Sequence, residues 1–463
     1  MRILRLPPPA VLAALACLGL APVLPCQDSQ YWTNQYGTRA TLLGGAVIGS
    51  VLDLSGTYYN PGGLSLIENP QTLIAAKVFQ YPRVSLVGAG PDSVAMNSSN
   101  PGPGPSLIAG TFKIRGLRKH WFGYSYLSRQ EVKLGLSLSS TGVHDVIPGQ
   151  DGLEDYVSQY RLEEKLSETW LGLTWSCKLR KNIGIGVSQY FAVRNHRANT
   201  QALVEALGAD GRLAMKLRSR QYQYENVRIL WKIGAAFDFK RLTLGLTLTT
   251  PGLHLYGQGS AGANASLVGL DRDGDGEPDD FLAADFQGGR PAFYRSPLSI
   301  AGGMTFKLQK FRVYASSEWF ARVPPYTVVD TEAFEGQSTG ELFSTDITNE
   351  FDPVLNTGIG LEYAHSARFK SSVSFTTDYS ARPPETETNL SLTGWSIYHI
   401  MAGAEITIKK SALTLGIGYS AGDREIKRLP DVFDGGGFDG LWNPFEGLEF
   451  QYSSYKLIIG FSF

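Results

Sequence analysis

The chain ends in the stretch Tyr455-Lys-Leu-Ile-Ile-Gly-Phe-Ser-Phe463. Counted back from the terminus, every second residue of this stretch is aromatic or branched and apolar. The residues between them are small or polar, apart from Ile458. Alternation with a period of two predicts a β-strand that has one apolar face. An ordinary edge strand would fit this pattern, but a strand that turns its apolar face toward lipid fits it better.

The same alternation recurs along the chain after about residue 70. It is clearest in Leu242-Thr-Leu-Gly-Leu-Thr-Leu248, where all the leucines lie on one face. About fourteen segments match this period, and they lie at roughly 71–86, 107–116, 119–134, 158–177, 183–205, 212–238, 241–256, 294–307, 311–322, 354–365, 369–379, 394–408, 412–421 and 451–463. The connections alternate between short ones, such as 239–241, and long ones, such as 135–157 and 257–293. Short periplasmic turns and longer extracellular loops are typical of outer-membrane barrels.

These patterns predict an all-β fold, in which residues 70–463 form a transmembrane antiparallel β-barrel of about 14 strands. An even number of strands would place both termini in the periplasm. A strand that closes with an aromatic residue resembles the C-terminal signal of bacterial outer-membrane barrels. We therefore expect a multi-pass protein surrounded by outer-membrane lipid, with Phe463 recognised by the barrel-assembly machinery.

Composition narrows the class of protein. Hydrophobic residues make up 43% of the chain and charged residues only 18%, and 42 basic residues face 43 acidic ones. This balance lacks the basic excess of a nucleic-acid-binding protein. No stretch after the N-terminal segment is apolar for 18 or more residues, so a helical membrane protein is not expected.

The N-terminus predicts a secretory signal peptide over residues 1–26. Arg2 and Arg5 precede the apolar run from Val11 to Leu20, which is too short to span a bilayer. Lipidation of Cys26 is the alternative, although the proline directly before it fits a lipobox poorly. Processing after this segment would leave Cys177 as the remaining cysteine, so no disulfide is expected.

Residues 27–69 do not alternate and are rich in glycine, which predicts a separate N-terminal segment. It contains Gly37-Thr-Arg-Ala-Thr-Leu-Leu-Gly-Gly-Ala46 and then Tyr58-Tyr-Asn-Pro-Gly-Gly-Leu64. This pair of motifs resembles the N-terminal hatch of the FadL/TodX family of outer-membrane transporters for long-chain fatty acids and hydrocarbons. The positions that match the family pattern are Gly37, Arg39, Ala40, Gly44, Gly45, Ala46, Asn60, Pro61, Gly63 and Leu64. Gly62 departs from it, because alanine is usual there.

The resemblance implies a function and a set of gating residues. It implies uptake of hydrophobic small molecules by capture in extracellular loops, passage through a lumenal pocket, and release when a plug inside the lumen moves. The hatch residues that the resemblance marks for gating are Arg39, Gly44, Gly45, Asn60, Pro61 and Gly62. Arg39 is also expected to tie the hatch to the wall by pairing with a lumenal acid.

Two groups of residues are candidates for substrate contact. The last long connection carries the aromatic residues Phe433, Phe438, Trp442 and Phe445. These side chains would suit a capture surface, but they would equally suit loop packing or an interfacial girdle. Arg228 and Lys232 fall on a predicted lumenal face, where they would bind a carboxylate or belong to an internal lattice of salt bridges.

One further motif predicts a metal site. Asp271-Arg-Asp-Gly-Asp-Gly-Glu-Pro-Asp279 matches the start of an EF-hand-like calcium loop. Asp271, Asp273, Asp275 and Asp279 would supply side-chain oxygens, and Glu277 its carbonyl. The acid at the twelfth position is missing, since residue 282 is leucine. A structural calcium ion is therefore expected, with a solvated acidic turn as the alternative, and no other cofactor is expected.

Two other functions compete with transport. None of the six histidines lies in a recognisable nucleophile or metal motif, so the protein is not expected to be an enzyme. A barrel of this type could instead be a non-transporting anchor or assembly partner in the outer membrane. A continuous apolar tunnel past Asn60 would favour transport, and a lumen packed solid would favour the anchor.

Overall fold

The structure is a computed structural model that describes residues 30–50, 53–67, 73–74, 77–87, 96–99, 102–105, 107–117, 119–147, 152–208, 211–271, 277–383, 395–408, 411–426 and 448–462. The expected signal peptide at residues 1–26 and the terminal Phe463 lie outside the described residues. None of the helices in the described part is long and apolar enough to cross a membrane.

Short helices come first and strands follow. Two α-helices, α1 (Thr38–Leu42) and α2 (Gly56–Tyr59), precede a 3₁₀ helix (Pro61–Leu66). The strands are β1 (Leu73–Ile74), β2 (Lys77–Val87), β3 (Met96–Ser99), β4 (Gly102–Pro105), β5 (Leu107–Phe112), β6 (His120–His144), β7 (Glu154–Arg180), β8 (Ile183–Leu207), β9 (Leu213–Asp238), β10 (Leu242–Thr249), β11 (Leu253–Val268), β12 (Phe281–Pro291), β13 (Ser299–Leu308), β14 (Phe311–Phe320), β15 (Val323–Val329), β16 (Phe334–Glu335), β17 (Leu342–Phe343), β18 (Ile347–Phe351), β19 (Val354–Ala364), β20 (Phe369–Asp378), β21 (Ile397–Ile408), β22 (Ser411–Ile426) and β23 (Leu448–Ser462).

The wall is one large antiparallel sheet in which neighbours in sequence are neighbours in space. Some wall strands come in pieces that continue one another, namely β1 with β2, β3 with β4 and β5, β10 with β11, and β12 with β13. Counted in this way, the described residues form fourteen wall strands. The last strand lies beside the first, since β23 pairs with β2 from Lys77↔Ile459 to Val87↔Glu449. The predicted barrel fold is confirmed.

The outward faces of the strands carry an apolar band. On β9, the outward residues from Val227 to Phe237 are apolar or aromatic, whereas those from Ser219 to Glu225 are polar. The apolar part is about ten residues long, which is the length of strand that crosses a bilayer. Because β6, β7, β8 and β9 contain 25 to 27 residues each, they continue well beyond the band.

This extension corrects two predicted loops. The connection expected at 135–157 is strand as far as His144 and again from Glu154, and the one expected at 257–293 contains most of β11 and all of β12. Beyond the membrane the outward residues are polar, so the apolar alternation on which the prediction rested is lost. The pairing between strands continues regardless.

Residues 30–50 and 53–67 fill the lumen inside this wall, and we call them the hatch. Tyr36 and Leu64 of the hatch are fully buried, as are Tyr190 and Tyr314 of the wall. All four belong to one apolar core shared by hatch and wall. The hatch therefore packs as the core of the barrel.

Candidate functional site

Two glycines turn the chain at the end of α1. Gly44 and Gly45 have φ angles of 60° and 77°, in the left-handed region that favours glycine. The Thr376 hydroxyl on β20 donates to the Gly44 carbonyl at 2.9 Å. A Cβ on Gly44 would lie 2.2 Å from that hydroxyl oxygen, so the Gly-Gly pair serves both the turn and the contact with the wall.

Asn60 links two parts of the hatch to the wall. Its Oδ1 accepts a hydrogen bond from the Gly62 N–H at 3.1 Å and caps the 3₁₀ helix. Its Nδ2 donates to the carbonyls of Ile48 at 3.1 Å and of Ala235 on β9 at 3.0 Å. Pro61 follows at the start of the helix, where a missing N–H does no harm. The Asn-Pro motif thus fixes a helix start against the barrel.

Hatch backbone lies directly on wall backbone at many points. A Cβ on Gly62 would lie 2.7 Å from the carbonyl oxygens of both Gly184 and Gly234. Other wall glycines have a hatch atom where their Cβ would be, and they are Gly186 (Pro61 O, 2.5 Å), Gly245 (Ile48 O, 1.9 Å), Gly303 (Gly49 N, 2.5 Å), Gly403 (Leu42 Cδ2, 2.5 Å) and Gly416 (Leu42 Cδ2, 2.3 Å). The small residues on the lumenal face therefore allow the hatch to pack closely against much of the wall.

The expected pairing of Arg39 with a lumenal acid is present. Its Nε and Nη2 donate to Glu362 on β19 at 2.8 and 2.5 Å, and Nη2 also lies 3.2 Å from the Tyr314 hydroxyl. Burial alone would lower the pKa of Arg39, but Tyr314, Glu362 and Glu405 raise it above its ordinary value. Arg39 therefore remains charged and holds the hatch to the wall.

The first described residues of the hatch are held by a second buried acid. Asp378 on β20 accepts hydrogen bonds from the backbone N–H groups of Tyr31 at 3.1 Å and Trp32 at 2.8 Å, and from the Thr33 hydroxyl at 2.6 Å. On the other side of this segment, Lys456 Nζ donates to the Thr33 carbonyl at 3.1 Å. The segment is thus clamped between a carboxylate and an ammonium group of the wall.

Asp378 also faces His399 and Ser420, which gives a Ser-His-Asp trio in the wall. The His399 ring lies 2.7 Å from the Ser420 hydroxyl and 3.7 Å from the Asp378 carboxylate. All three side chains are fully buried, and the carboxylate is already engaged by the hatch. Because the serine is fully buried and the aspartate binds the hatch, the trio belongs to the part of the wall against which the hatch packs.

A small cavity of about 40 Å³ lies between the hatch and the wall. Tyr31 and Tyr58 of the hatch line one side of it. Both lumenal cations that were candidates for substrate contact, Arg228 and Lys232, line the other. At this volume the cavity has room for water-sized molecules, so a long-chain ligand would not fit into it in the arrangement of hatch and wall described here.

The lining of this cavity is unusually charged. Three cations, Arg129, Arg228 and Lys232, face two acids, Glu168 and Glu318. Lys232 lies 3.9 Å from Glu318, which makes a loose pair, and its ammonium group lies 4.4 Å from the centre of the Tyr58 ring.

Glu168 is shared between two arginines. It pairs with Arg228 and, at 2.9 Å, with Arg194 on β8, and it accepts a bond from the Trp170 indole at 2.7 Å. Both guanidinium groups lie over the Tyr294 ring, at 4.0 Å for Arg194 and 4.6 Å for Arg228. One carboxylate therefore serves two guanidinium groups, and the positive charge is in excess.

Arg129 reaches the cavity from a β-bulge. The pairing of β6 with β7 shifts by one residue between Ser128 and Gln130. The Arg129 carbonyl accepts a bond from the Asn34 amide of the hatch at 3.2 Å. Among the described residues, Arg129 Nη1 and Arg228 Nε and Nη1 are buried without a hydrogen-bond partner. Buried N–H groups of this kind require a partner such as an ordered water molecule or an ion.

Part of this site was not predicted from the sequence. The unpredicted site residues are Arg129, Glu168, Arg194 and Tyr294. Arg194 and Glu168 do fall on the lumenal faces of their strands, so alternation could have found them. The position of Arg129 depends on the bulge and that of Tyr294 on a break in the wall, and neither has a local signal.

The other lumenal charges form pairs in the wall. Arg312 lies 3.4 Å from Glu362, and Lys370 lies 2.8 Å from Glu405. This is the internal lattice of salt bridges that was one of the two interpretations of the lumenal cations. Arg228 and Lys232 differ from these residues because they line the cavity.

Several candidate residues cannot be placed. Phe433, Phe438, Trp442 and Phe445 lie outside the described residues, as do Asp273 and Asp275. Asp271, Glu277 and Asp279 lie in the connection between β11 and β12, where the Asp279 N–H donates to the Leu270 carbonyl at 2.7 Å. In the described part of the chain no group of three or more acidic, histidine or cysteine side chains is arranged for a metal ion. Calcium binding stays a prediction.

The fold is shared with solved transporter structures. A scan against family models and a search of curated proteins found no match to this chain. The toluene transporter TodX of P. putida matches with a TM-score of 0.57 at 13% identity, over 92% of this chain and 98% of that one. The Ralstonia pickettii toluene transporter TbuX has a TM-score of 0.52 at 11% identity (92% and 98%). A Pseudomonas aeruginosa FadL homologue has a TM-score of 0.53 at 12% identity (94% and 99%). The resemblance to the FadL/TodX family is thereby confirmed as a likeness of fold.

Proposed function

We propose that the protein is an uptake channel for hydrophobic compounds in the bacterial outer membrane, and that it favours compounds that end in a carboxylate. The shared fold supports the general function, because solved structures of this fold include toluene transporters. The preference for an acid rests on the cavity of this chain. The apolar part of such a ligand would gain about 25 cal/mol per Å² of surface removed from water.

The proposed preference for a carboxylate rests on the excess of cations beside the hatch. Arg129, Arg228 and Lys232 line the cavity against Glu168 and Glu318, and guanidinium N–H groups are left without partners there. A carboxylate would accept these bonds and balance the charge. A neutral hydrocarbon would do neither, and it would leave buried donors unsatisfied at a cost of about 1–3 kcal/mol each.

Movement of the hatch would make room for the ligand. Because Tyr31 and Tyr58 form one side of the cavity, a shift of the segment held by Asp378 would enlarge it without changing the wall. The hatch residues Arg39, Gly44, Gly45, Asn60, Pro61 and Gly62 would then set how readily the hatch moves. We infer hatch-gated release from this arrangement.

The remaining features complete the proposal. Both termini would lie in the periplasm, and the long extensions of β6 to β9 would lie outside the cell. There the aromatic residues of the last connection, 427–447, would help to capture ligand. A calcium ion at Asp271–Asp279 would brace an outer loop. Phe463 would mediate recognition by the barrel-assembly machinery, after removal of residues 1–26.

The test is uptake by cells that lack their own carrier. Cells expressing the chain should take up labelled palmitate above the level of empty-vector cells. Arg228→Gln/Lys232→Gln should lower palmitate uptake about tenfold, because one charge-assisted hydrogen bond is worth about 1.5–3 kcal/mol. Toluene uptake should change little. Lys370→Gln is the matched control, since it removes a lumenal cation that does not line the cavity.

A non-transporting anchor is the second candidate. The small cavity and the close backbone contacts of the hatch favour it. Absence of uptake of both palmitate and toluene, with the protein verified in the outer membrane, would support the anchor and reject the channel.

A further inference from the structure

The short turns of the wall concentrate positive charge at one end of the barrel. They join β5 to β6, β7 to β8, β9 to β10, β13 to β14, β19 to β20 and β21 to β22. Because consecutive wall strands run in opposite directions and these turns alternate with long connections, all of them lie at the same end. The turn sequences 113–119, 178–182, 239–241, 308–310, 365–368 and 409–410 contain lysine or arginine and no acidic residue.

We call the exposed cations of these turns the basic rim. In the described part of the chain they are Lys113, Arg115, Lys119, Arg180, Lys181, Lys240, Arg241, Lys310 and Arg368. None of these side chains forms a salt bridge with another described residue, whereas the neighbouring Lys307 pairs with Asp238 at 2.6 Å. The positive charge of the rim is therefore not balanced locally.

Cations beyond the opposite edge of the apolar band are arranged differently. On the outer face of β6, Lys133 lies 2.8 Å from Glu131, and on that of β7, Arg161 lies 2.6 Å from Glu163. The whole chain has 42 basic and 43 acidic residues, so the excess at the short turns is offset by acids elsewhere, as in the connection 271–280. The barrel is thus electrically asymmetric along its axis.

Aromatic side chains mark the level of the membrane surface at the short-turn end. Phe311, Tyr363, His365 and Phe369 form a row of side-chain contacts, with centroids 4.7, 4.6 and 4.9 Å apart. Such aromatic belts lie at the boundary between hydrocarbon and headgroups. A cation of the basic rim directly precedes the first and the last residue of this row in sequence. The basic rim therefore lies at the level of the lipid headgroups.

Exposed apolar side chains lie between the cations. Leu179, Phe239, Leu308 and Ile408 continue the outward faces of their strands and are between 46% and 58% exposed. Lysine and arginine can extend from such a position into water while their alkyl chains cover apolar surface. The short-turn end thus presents an apolar edge directly beside a row of positive charges.

An anionic lipid fits both features of this edge. Its acyl chains would cover the apolar side chains, and its phosphate would accept charge-assisted hydrogen bonds from the cations. The basic rim follows the wall from β5 to β22, as a shell of lipid around a barrel does. An acidic protein docked on the end of the barrel would contact the turns and leave the outward-facing Leu179 and Phe239 uncovered.

We propose that the basic rim binds anionic phospholipids such as phosphatidylglycerol, and that this contact fixes the depth of the barrel in the membrane. The phospholipid of a bacterial outer membrane lies in its periplasmic leaflet. The inference rests on the orientation given with the proposed function, in which the long extensions lie outside the cell. It does not depend on uptake of a ligand.

Quenching of Trp175 by brominated lipid tests the preference. Trp175 lies on the outward face of β7, near the turn that contains Leu179. The protein is placed in equimolar vesicles of phosphatidylglycerol and phosphatidylcholine with one or the other brominated, and Trp175→Phe supplies the background of the other tryptophans. Phosphatidylglycerol should be preferred about fivefold, the factor for one cation beside an anionic lipid surface. Equal quenching by the two lipids would overturn the proposal.

Neutralising the nearest turn should weaken this preference. Arg180→Gln/Lys181→Gln should lower it at least about twofold, since each lipid contacts the cations closest to it. Lys133→Gln/Arg161→Gln is the matched control, because it removes the same charge from exposed positions beyond the far edge of the band and should change nothing. A preference that survives in the first variant would show that the basic rim is not the lipid site.

Salt provides a test that needs no variant of the basic rim. Raising the salt concentration from about 0.01 M to about 1 M shortens the Debye length from about 30 Å to about 3 Å. The preference of the unmodified protein for phosphatidylglycerol should then approach one. A preference that salt does not change would assign it to the acyl chains or to the shape of the lipid, and the proposal would be wrong.

The orientation is tested separately in whole cells. In a Cys177→Ser background, Lys240→Cys should react with a maleimide on a large polyethylene glycol only after the outer membrane is permeabilised, and the background protein should not react. Reaction in intact cells would place the short turns outside and overturn the assignment to the phospholipid leaflet. Absence of palmitate uptake by a protein that keeps the lipid preference would instead reject the uptake function and leave the basic rim supported.

Discussion

Arg39 in the hatch donates two hydrogen bonds to one carboxylate oxygen of Glu362 in the wall, at 2.8 Å from Nε and 2.5 Å from Nη2. The Glu362 side chain is 2% exposed, and Arg39 is 14% exposed. Two charged groups with this little contact with water lose much of their hydration, so each group relies on its partner for stabilisation. Removing one member of this pair should therefore destabilise the attachment of the hatch more than removing both members does.

Arg39→Gln should loosen the hatch more than the double variant Arg39→Gln/Glu362→Gln does. Within the described part of the chain, the single change leaves the buried Glu362 carboxylate with the more distant Arg312 as its ion-pair partner, at a cost of up to about 3–5 kcal/mol. The double change removes both charges. Hydrogen exchange of the amides at 37–45 measures the difference.

The control for this prediction is Arg161→Gln. Arg161 and Glu163 form a pair of similar length, 2.6 Å, but both side chains are exposed on the outer face of β7. Its loss should cost no more than about 1 kcal/mol and should leave hatch exchange unchanged. Equal exchange in the single and double Arg39 variants would show that the pair does not hold the hatch.

Gly245→Ala should displace the hatch. A Cβ at this position would lie 1.9 Å from the Ile48 carbonyl oxygen, and backbone cannot move aside as a flexible side chain can. We expect the displaced hatch to admit polar solutes, seen as increased sensitivity of cells to vancomycin. Gly302→Ala on β13 is the control, because its nearest neighbour would be Leu246 Cδ2 at 3.7 Å. Equal sensitivity of the two variants would contradict the prediction.

The sequence could have predicted more of the fold than it did. On β7 the apolar residues shift from even positions, such as Tyr160 and Leu162, to odd positions, such as Leu171 and Leu173. The even positions face the interior above the membrane and the odd ones face lipid. The change of parity therefore marks the edge of the membrane, and it was present in the sequence.

On β6 the edge of the membrane is not marked by a change of parity. The apolar residues keep one parity from Phe122 and Tyr124 to Leu134 and Leu136, yet the first pair faces outward and the second belongs to an interior cluster. The bulge at Arg129 reverses the faces between them. One extra residue in a ladder has no local signal here, which is why alternation could not predict Arg129 as part of the site.

Only some of the hatch contacts could be predicted from the sequence. The left-handed turn at Gly44 and Gly45 and the helix start at Asn60 follow from local chemistry and could be predicted. The bond from Asn60 to Ala235 spans 175 residues, and the meeting of Gly245 with Ile48 depends on how the whole wall surrounds the hatch. Such contacts require the three-dimensional arrangement.

Glu168→Gln should strengthen anion binding and weaken the fold. The change leaves Arg194 and Arg228 without their shared carboxylate, so the free energy of unfolding should fall by about 3–5 kcal/mol. The positive charge that Glu168 no longer balances should also lower the Kd for palmitate about tenfold. One added favourable ion pair of about 1.4 kcal/mol gives a change of this size. Tryptophan fluorescence titration in a nonionic detergent measures the Kd.

The effect of bound palmitate on thermal stability provides a second measurement of binding to this variant. A ligand that binds the folded state stabilises it by RT ln(1 + [L]/Kd), so saturating palmitate should raise the thermal midpoint more for the variant than for the unmodified chain. Palmitate that binds the two proteins equally well would show that its carboxylate does not enter the cavity.

Asp378→Asn should release the first segment of the hatch. Asp378 accepts bonds from Tyr31, Trp32 and Thr33, and bonds to a charged acceptor are worth about 1.5–3 kcal/mol each. The neutral amide keeps the shape of the side chain but supplies only one acceptor oxygen. Faster hydrogen exchange at residues 31–36, with unchanged exchange in the wall strands, is the expected result.

This release should also change transport, because Tyr31 borders the cavity. If the segment gates the ligand, Asp378→Asn should raise the rate of palmitate uptake at low palmitate concentration. Asp238→Asn is the control, since its half-exposed pair with Lys307 does not touch the hatch. Faster exchange of the segment without any change in uptake would mean that it moves freely but does not limit passage, and the gate would then have to lie elsewhere in the hatch, at Arg39 or Asn60.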